Sequence, residues 1–194
     1  MKVAIIKYNA GNIQSVIYAL NRLGIEPVVT DNHEEIRNAD KVIFPGVGEA
    51  NSAMRSVESK GLDKLIIGLK QPVFGICVGL QLLCRYSEEN DTKCLGVFDL
   101  DVKKFPNQSQ KVPQIGWNNI NDFKSPLFKG VEEDKYVYFV HSYYAELSEY
   151  TAAQSEYGVK FSAALQKDNF YAAQFHPEKS SRTGAKIIQN FLDI

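Results

Sequence analysis

The sequence predicts an α/β protein, with a mostly parallel sheet covered by helices on both faces and a β-rich second half. Up to about Asp91, short apolar runs rich in β-branched residues alternate with stretches in which apolar residues recur at helical spacing. Beyond that point, strand-like runs follow one another with few helical stretches between them. Because parallel strands need a crossover that is usually a helix, the first pattern indicates a parallel sheet and the second indicates further strands.

Four strands are predicted in the first half from their apolar content and from the turn residues that bound them: 3–6, 27–29, 42–44 and 72–76. The third of these is expected to end at Pro45-Gly46. Three helices are predicted between and after the strands. The first has apolar residues at helical spacing over 16–23 and ends at Gly24, the second covers 62–69, and the third begins over 80–83.

In the second half, strands are predicted over 97–102, 136–140, 162–166 and 171–175. The chain ends in a predicted helix over 184–191, because four apolar residues share one face: Ile187, Ile188, Phe191 and Leu192. Residues 103–111 are polar and are expected to form an exposed loop. No internal repeat or long linker is evident, so residues 1–194 are expected to form a single domain.

The composition excludes several classes of protein. The 194 residues carry 22 Lys+Arg against 23 Asp+Glu, so the basic stripe of a nucleic-acid-binding domain is not expected. The chain has no apolar run of about 18 residues to span a membrane, and its apolar start is too short for a signal peptide. Three cysteines do not make a disulfide framework. We therefore expect a cytoplasmic enzyme or small-molecule binder that uses neither nucleic acid nor membrane.

A cysteine lies where a predicted buried strand meets a helix, in the run Gly75-Ile76-Cys77-Val78-Gly79. This run has the form of a nucleophile elbow, with cysteine at the nucleophile position. The turn would lift the sulfur above the carboxyl edge of the sheet, and the helix N-terminus would favour the thiolate. The amide of Val78 would face a developing oxyanion. The alternative is a small buried cysteine that fills the core, which is how Cys84 and Cys94 are interpreted.

A cysteine nucleophile needs a base, and the chain has three histidines. His176 follows an apolar run and is predicted at a strand end, on the same sheet edge as Cys77. The carboxylate of Glu178 can accept the second imidazole N–H and hold its tautomer, which completes a triad of nucleophile, base and orienting group. His33 is interpreted as a surface residue and His141 as a structural one. The alternative for His176 is a His-Pro turn that caps the last helix.

A second glycine-rich turn, Pro45-Gly46-Val47-Gly48, follows the strand predicted over 42–44. Glycines let a peptide plane reorient so that an amide faces an oxyanion, which makes Val47 and Gly48 candidates for an oxyanion hole shared with Val78. Such a reorientation would also allow activity to be switched. The alternative is an ordinary turn that ends a strand.

The turn at 45–48, the elbow at 75–79 and the run 176–178 occur in the order found in the class I (triad) glutamine amidotransferases. The sequence resembles that family, and the resemblance covers nearly the whole chain. It implies the flavodoxin-like fold of that family. It also implies that Cys77 attacks the side-chain amide of glutamine, that His176 protonates the departing ammonia, and that water hydrolyses the glutamyl thioester. No metal and no cofactor are implied.

The same resemblance implies glutamine-binding roles for a further set of residues: Gly46, Gln81, Glu89, Ser142 and Tyr143. Without the resemblance, Gln81 would be interpreted as an exposed polar residue of a helix. Glu89 would likewise be one carboxylate of an acidic surface cluster.

Three further segments resemble, more narrowly, the glutaminase subunits of imidazole glycerol phosphate synthases: 10–12, 112–118 and 138–143. This resemblance implies a heterodimer with a (β/α)8-barrel cyclase subunit, which would use the ammonia to make imidazole glycerol phosphate and an aminoimidazole carboxamide ribotide. It places five residues on the partner-facing surface: Asn12, Trp117, Asn118, Tyr138 and Lys179. A core position at a strand end is an equal alternative for Trp117.

Two departures from the family pattern, at Lys7-Tyr8-Asn9 and at Gln114, lie in segments assigned to the partner side. They leave open other ammonia acceptors, in a sugar pathway for surface polysaccharide or in pyridoxal-phosphate synthase. A non-enzymatic regulatory α/β domain and a peptidase are further alternatives, which the triad and Gln81 disfavour. A glutaminase domain of this length leaves no room for an acceptor domain, so a two-subunit enzyme is expected.

Overall fold

A computed structural model describes residues 1–9, 13–106 and 110–194. Five parallel strands form the centre of its main sheet, in the spatial order β2 (Val28–Thr30), β1 (Val3–Ile6), β3 (Lys41–Gly46), β4 (Val73–Cys77) and β13 (Phe170–Ala173). Two antiparallel strands, β12 (Val159–Lys167) and β11 (Thr151–Tyr157), continue the sheet beyond β13. The first four strands and the last of the parallel set match the predicted segments to within a few residues.

Within the described residues, six helices connect or follow these strands: α1 (Gln14–Arg22), α2 (His33–Arg37), α3 (Ala50–Ser59), α4 (Leu62–Ile67), α5 (Val78–Leu83) and α6 (Ser181–Asp193). The strand order reverses direction after β2. Because parallel crossovers are right-handed, this reversal puts α1 on one face of the sheet and α2 to α4 on the other. Phe191 of α6 packs on Phe74 of β4, and α6 shares a groove with α1.

The second half adds two smaller sheets. The strands β5 (Cys84–Ser87), β6 (Thr92–Lys93), β7 (Phe98–Lys104) and β10 (Tyr143–Ala145) form one of them, in the order β10-β7-β5-β6. The strands β8 (Gln114–Ile120) and β9 (Lys135–His141) form an antiparallel pair. Phe105, Phe139 and Phe161 pack edge to face in the core beside these strands. The predicted β-rich second half is therefore present.

Several predicted boundaries need correction. Strand β3 does not stop before Pro45-Gly46 but runs through both residues, because they pair with Ile76 and Cys77 of β4. The region predicted as an exposed loop over 103–111 begins inside strand β7, and Phe105 after it is buried. Helices α2 and α3 and strands β5, β6, β8, β10 and β11 were not predicted. These elements are short or mix polar with apolar residues, so neither a strong strand run nor a long helical stripe marks them.

The four strands β1, β3, β4 and β13 are parallel neighbours, so their carboxyl ends lie at one edge of the sheet. Ligands of open α/β sheets bind at this edge. Cys77 is the last residue of β4, and the segments that follow β1, β3 and β13 carry Tyr8, Val47 and His176 respectively. The topology thus gathers residues from distant parts of the sequence at one place. Separately, no helix in the described part of the chain is long and apolar enough to cross a membrane.

Candidate functional site

Cys77 occupies a strained backbone position at the junction of β4 and α5. Its φ of 54° and ψ of −108° lie outside the regions that L-residues ordinarily adopt. Two glycines allow the turn: a β-carbon on Gly79 would lie 2.0 Å from the carbonyl oxygen of Phe44, and one on Gly75 would lie 2.8 Å from Leu83 Cδ1. The predicted elbow is therefore built by close packing that excludes side chains at both flanking positions.

His176 and Glu178 form a buried pair immediately beyond β13. Nδ1 of His176 lies 2.8 Å from Oε1 of Glu178, and each side chain is only 4% exposed. Burial on its own lowers the pKa of His176, but hydrogen bonds with Cys77 and Glu178 raise it to about 10. The three predicted triad residues therefore meet, with the imidazole between the sulfur and the carboxylate.

The turn that carries His176 is held by strand β9. The amide of His176 donates to the carbonyl oxygen of Tyr138 at 2.8 Å. The hydroxyl of Ser180 accepts from the amide of Tyr138 at 2.9 Å and donates to the carbonyl oxygen of His176 at 2.6 Å. Pro177–Lys179 forms a short 3₁₀ helix and α6 begins only at Ser181, so His176 is not the cap of the last helix.

A cavity of about 290 Å³ opens beside Cys77 and His176. Its remaining lining residues come from the two predicted turns, from β9 and from the segments around them: Val47, Gly48, Val78, Gln81, Glu89, Pro113, Val140, His141, Ser142, Tyr143 and Lys179. All three residues predicted for the oxyanion hole line this cavity. So do four of the five predicted to bind glutamine.

Gly46 is the exception. It does not line the cavity but is buried between Tyr8 and the elbow, where a β-carbon would lie 2.7 Å from the Tyr8 hydroxyl and 2.8 Å from the Gly79 amide nitrogen. The hydroxyl of Tyr8 donates to the carbonyl oxygen of Pro45 at 2.5 Å. Gly46 is thus needed for close packing beneath the turn, and its predicted contact with glutamine stays a prediction.

Gln81 is buried rather than exposed. Its Nε2 donates to the carbonyl oxygen of Tyr143 at 3.1 Å and to Oε1 of Gln174 at 3.2 Å. Glu89 is half-buried at the cavity, and its Oε2 accepts from the amide of Ala50 at 2.7 Å. Desolvation raises the pKa of Glu89, although the hydrogen bond from Ala50 acts in the opposite direction. Both side chains belong to the site and neither is a free surface group.

His141 is enclosed by protein, with Nδ1 placed to donate to a backbone carbonyl and Nε2 turned towards Gln114. Nδ1 lies 2.8 Å from the carbonyl oxygen of Tyr143, and Nε2 lies 3.0 Å from the side-chain amide of Gln114. Burial lowers the pKa of His141 to about 4, so the ring is neutral at pH 7. Gln114 is itself buried, which corrects its assignment to the partner-facing side. Gln114, where the sequence departs from the family pattern, therefore contacts His141 on the side away from the cavity.

The residues predicted to face the partner do not all lie on one surface. Trp117 is 51% exposed and packs edge to face on Tyr138, its cross-strand neighbour on β9. Lys179 is exposed beside them. Asn118 points to the opposite face of β8 and donates to the carbonyl oxygen of Glu156 at 2.8 Å, because neighbouring residues of a strand alternate in direction. Asn118 is therefore not brought together with Trp117, and Asn12 lies outside the described residues.

The other singled-out residues lie away from the reacting groups. Cys84 and Cys94 are buried, free thiols; burial raises the pKa of Cys84, and that of Cys94 to about 12. His33 begins α2, and its Nε2 lies 2.9 Å from the carbonyl oxygen of Lys60 at the surface. Across the ranges given above, no cluster of three or more His, Cys, Asp or Glu could hold a metal ion.

Sequence reasoning missed three residues that support the site: Tyr8, Gln174 and Ser180. All three are buried and act through hydrogen bonds to segments far away in the chain. Gln174 and Cys77, for example, are 97 residues apart. No local pattern signals such contacts; only their position beside predicted motif residues could have drawn attention to them.

Comparison with known proteins agrees with the family that the sequence resembles. The family model of glutamine amidotransferase class-I matches residues 4–194. The imidazole glycerol phosphate synthase subunit HisH of Bacteroides fragilis (strain YCH46) is 59% identical over 196 residues and is covered, like this chain, over 100% of its length. The protein of the same name from Shewanella sediminis (strain HAW-EB3) is 47% identical over 193 residues, which cover 97% of this chain and 88% of that relative.

Solved structures agree on the fold. A glutamine amidotransferase superposes with a TM-score of 0.76 at 20% identity, over 98% of this chain and 97% of that one. A glutamine amidotransferase from Thermotoga maritima superposes with a TM-score of 0.68 at 17% identity, over 100% of this chain and 83% of that one. The predicted fold class is confirmed by these likenesses.

Proposed function

Because the chain belongs to the class I glutamine amidotransferase family, we propose that it is the glutaminase subunit of an imidazole glycerol phosphate synthase. The observation that carries the proposal is the meeting of Cys77, His176 and Glu178 beside a cavity that four of the five predicted glutamine-binding residues line. The names of the two relatives above support the choice of synthase.

The arrangement supports a thioester mechanism. The sulfur of Cys77 attacks the side-chain carbonyl carbon of glutamine, and the oxyanion that forms is stabilised by amides of Val78 and of the 47–48 turn. His176 gives its proton to the leaving nitrogen, which departs as ammonia and leaves a glutamyl thioester. Water, deprotonated by His176, then hydrolyses the thioester to glutamate. Glu178 holds the ring through Nδ1, so Nε2 is the nitrogen that serves the reaction.

The cavity offers complementary groups for the zwitterionic end of glutamine. The carboxylate of Glu89, which lines the cavity just beyond the end of β5, would hold the α-ammonium group. Both Nε2 hydrogens of Gln81 are engaged by Tyr143 and Gln174, so a substrate can meet only its Oε1. The segment Ser142–Tyr143 runs along the cavity and supplies backbone groups.

An exposed apolar face and a basic groove support association with a (β/α)8-barrel cyclase subunit. Ile115, Trp117 and Tyr136 are 64%, 51% and 60% exposed on one face of the β8–β9 pair. Beside Trp117, a groove of about 490 Å³ is lined by Arg22 and Arg182, and Lys179 lines both this groove and the active-site cavity. Exposed aromatic and arginine side chains are typical anchors of interfaces. Ammonia released at Cys77 would pass Lys179 and enter the cyclase subunit bound over this surface.

The direct experiment combines the purified chain with the cyclase subunit encoded in the same genome. Glutamine hydrolysis and imidazole glycerol phosphate formation are measured with glutamine, and again with ammonium salt. We expect glutamine to support the synthase only when both subunits are present. The variant Cys77→Ser should abolish glutamine-dependent synthesis and leave ammonia-dependent synthesis intact. Absence of glutamine hydrolysis by the wild-type pair would refute the glutaminase assignment. Hydrolysis without transfer to this cyclase would refute only the acceptor.

A further inference from the structure

We infer that Gln174 is a hydrogen-bond donor to the sulfur of Cys77 and stabilises its thiolate, in an orientation imposed by Gln81. The inference rests on the proposed function only in taking Cys77 as the nucleophile. Gln174 follows strand β13, is fully buried, and reaches the sulfur with Nε2 at 3.8 Å. Contacts of this kind are often long before substrate binds and shorten as the reaction proceeds.

The direction of this hydrogen bond follows from its neighbours. The carbonyl oxygen of Tyr143 can only accept, so Gln81 must turn its amide nitrogen towards it. That nitrogen has a second hydrogen, which it donates to Oε1 of Gln174 at 3.2 Å. The carbonyl end of Gln174 is thereby occupied by Gln81, and its amide nitrogen is left facing Cys77. The backbone of Gln174 is held as well, since its amide donates to Ala163 on β12 at 2.8 Å.

The opposite side of the sulfur meets an acceptor. The thiol of Cys77 can donate to the carbonyl oxygen of Val140 at 3.6 Å, an interaction that is available to the thiol and repels the thiolate. Gln174 has the opposite effect, because its N–H groups form a stronger hydrogen bond with a negatively charged sulfur than with a neutral thiol. The two neighbours therefore favour different protonation states. Removing Gln174 takes away the donor that favours the thiolate and leaves the carbonyl oxygen of Val140, which favours the thiol.

Other groups also act on the sulfur and must be held constant in any test. His176, with Glu178 behind it, approaches from the segment after β13. Tyr8 approaches from the segment after β1 and interacts with Cys77 electrostatically. The remaining titratable groups that line the cavity are His141, Tyr143, Glu89 and Lys179. None of these contacts Gln174 through a hydrogen bond recorded for the described residues, so a substitution at Gln174 leaves them in place.

The test uses Gln174→Met, which keeps the length of the side chain and removes the donor. Its matched control is Gln166→Met on β12, outside the cavity. Alkylation of Cys77 by iodoacetamide is followed by intact mass between pH 5 and 9. Cys77→Ser gives the background from the two buried cysteines. In parallel, kcat and KM for glutamine are measured with the cyclase subunit present.

We expect Gln174→Met to shift the alkylation profile to higher pH and to slow alkylation at pH 7 about ten-fold, the loss expected for one hydrogen bond to a charged group. We expect kcat to fall by a similar factor and KM to change less than about two-fold, because Gln174 is assigned to the sulfur and not to the substrate. Gln166→Met should match wild type in all three quantities.

An alkylation profile of Gln174→Met that superimposes on that of wild type would overturn the inference, as would a rise in KM at constant kcat. If Gln174→Met does not fold, Gln81→Met tests the same point, since it frees the amide of Gln174 to rotate and should also shift the profile. Alkylation needs no glutamine and no partner. A shifted profile in a protein that fails to hydrolyse glutamine would therefore uphold this inference and refute the proposed function instead.

Discussion

Gly79 and Phe44 lie in contact at the point where two glycine turns meet. A β-carbon on Gly79 would lie 2.0 Å from the carbonyl oxygen of Phe44, well inside any allowed separation. Helix α5 therefore begins directly against strand β3, and the sulfur of Cys77 is brought beside the 47–48 turn. The glycine that sequence reasoning assigned to a tight turn is also the residue that sets the distance between nucleophile and oxyanion loop.

Substitution of Gly79 by alanine is therefore expected to displace α5 or β3. Overpacking against backbone costs about 3 kcal/mol, which corresponds to a fall of roughly 6–12 °C in Tm for a chain of this size. Glutaminase activity should be lost, because the elbow must move. The control is Gly68→Ala, at a position with φ of −84° and no contact closer than 3.4 Å. Thermal unfolding and glutamine hydrolysis are measured for both; equal Tm values would contradict the packing argument.

Tyr8→Phe tests the anchor of the oxyanion turn. The variant keeps the ring on Phe44 and removes only the hydroxyl that donates to Pro45. We expect a loss of about 1 kcal/mol in stability for the hydrogen bond. We also expect kcat to fall about ten-fold, since small displacements near reacting atoms are costly. Tyr18→Phe, at a residue 56% exposed on α1, is the control. Unchanged kcat in Tyr8→Phe would mean that the turn is held by other contacts.

The buried His176–Glu178 pair predicts how stability depends on pH. Burial opposes protonation of His176, yet hydrogen bonds to Cys77 and Glu178 raise its pKa from 6.5 to about 10. Since the folded state binds the proton more tightly than the unfolded chain, the stabilisation is fully present below about pH 6.5 and is lost as the pH rises towards 10. Glu178→Gln should lower the pKa of His176 and flatten this decline. Unfolding by urea at pH 6, 8 and 10 measures it; parallel curves for the two proteins would argue against the ion pair.

Trp117→Ala tests the surface proposed to face the cyclase subunit. Because the ring is half exposed on β8, its removal should leave Tm within about 2 °C of wild type. Binding to the cyclase subunit should weaken by about 2 kcal/mol, roughly thirty-fold, if Trp117 is an anchor of the interface. The matched control is Ile67→Ala on α4, 48% exposed and close to the amino end of β4, the far edge of the sheet from Cys77. Titration calorimetry compares the three proteins. Equal affinities would move the interface elsewhere.

The parallel half of the fold was predictable because buried strands leave a strong mark. Strands β1 and β4 are apolar, as is β3 after Lys41, because these strands are covered on both faces, and proline or glycine marks a boundary of β3 and of β4. Strand β8 was missed because its apolar residues Ile115 and Trp117 are exposed while its polar Gln114 is buried. Strand β11 was missed because the residues that it buries include polar ones, Thr151 and Ser155. Helices α2 and α3 are short or polar, and α2 depends on Asn32, whose side chain accepts from the amides of Glu34 and Glu35.

The site could be predicted in part for a related reason. A nucleophile elbow is a motif of five consecutive residues, so Gly75, Cys77 and Gly79 identify it without knowledge of the rest of the fold. Glu178 could be predicted because it lies two residues from His176. By contrast, the direction of the Asn118 side chain and the burial of Gln114 depend on how β8 pairs with β9, which composition does not reveal.

Local sequence specifies the chemistry that is available: one cysteine at a turn that only glycines permit, and one histidine with its carboxylate close by. These are short-range relationships, set by the stereochemistry of a few neighbouring residues. The tertiary structure alone decided which distant groups act on that chemistry. Parallel strands end at one sheet edge and bring Tyr8 beneath the oxyanion turn and Gln174 to the sulfur, although each is far away along the chain. Such contacts follow from strand order and register, which are properties of the whole packed chain.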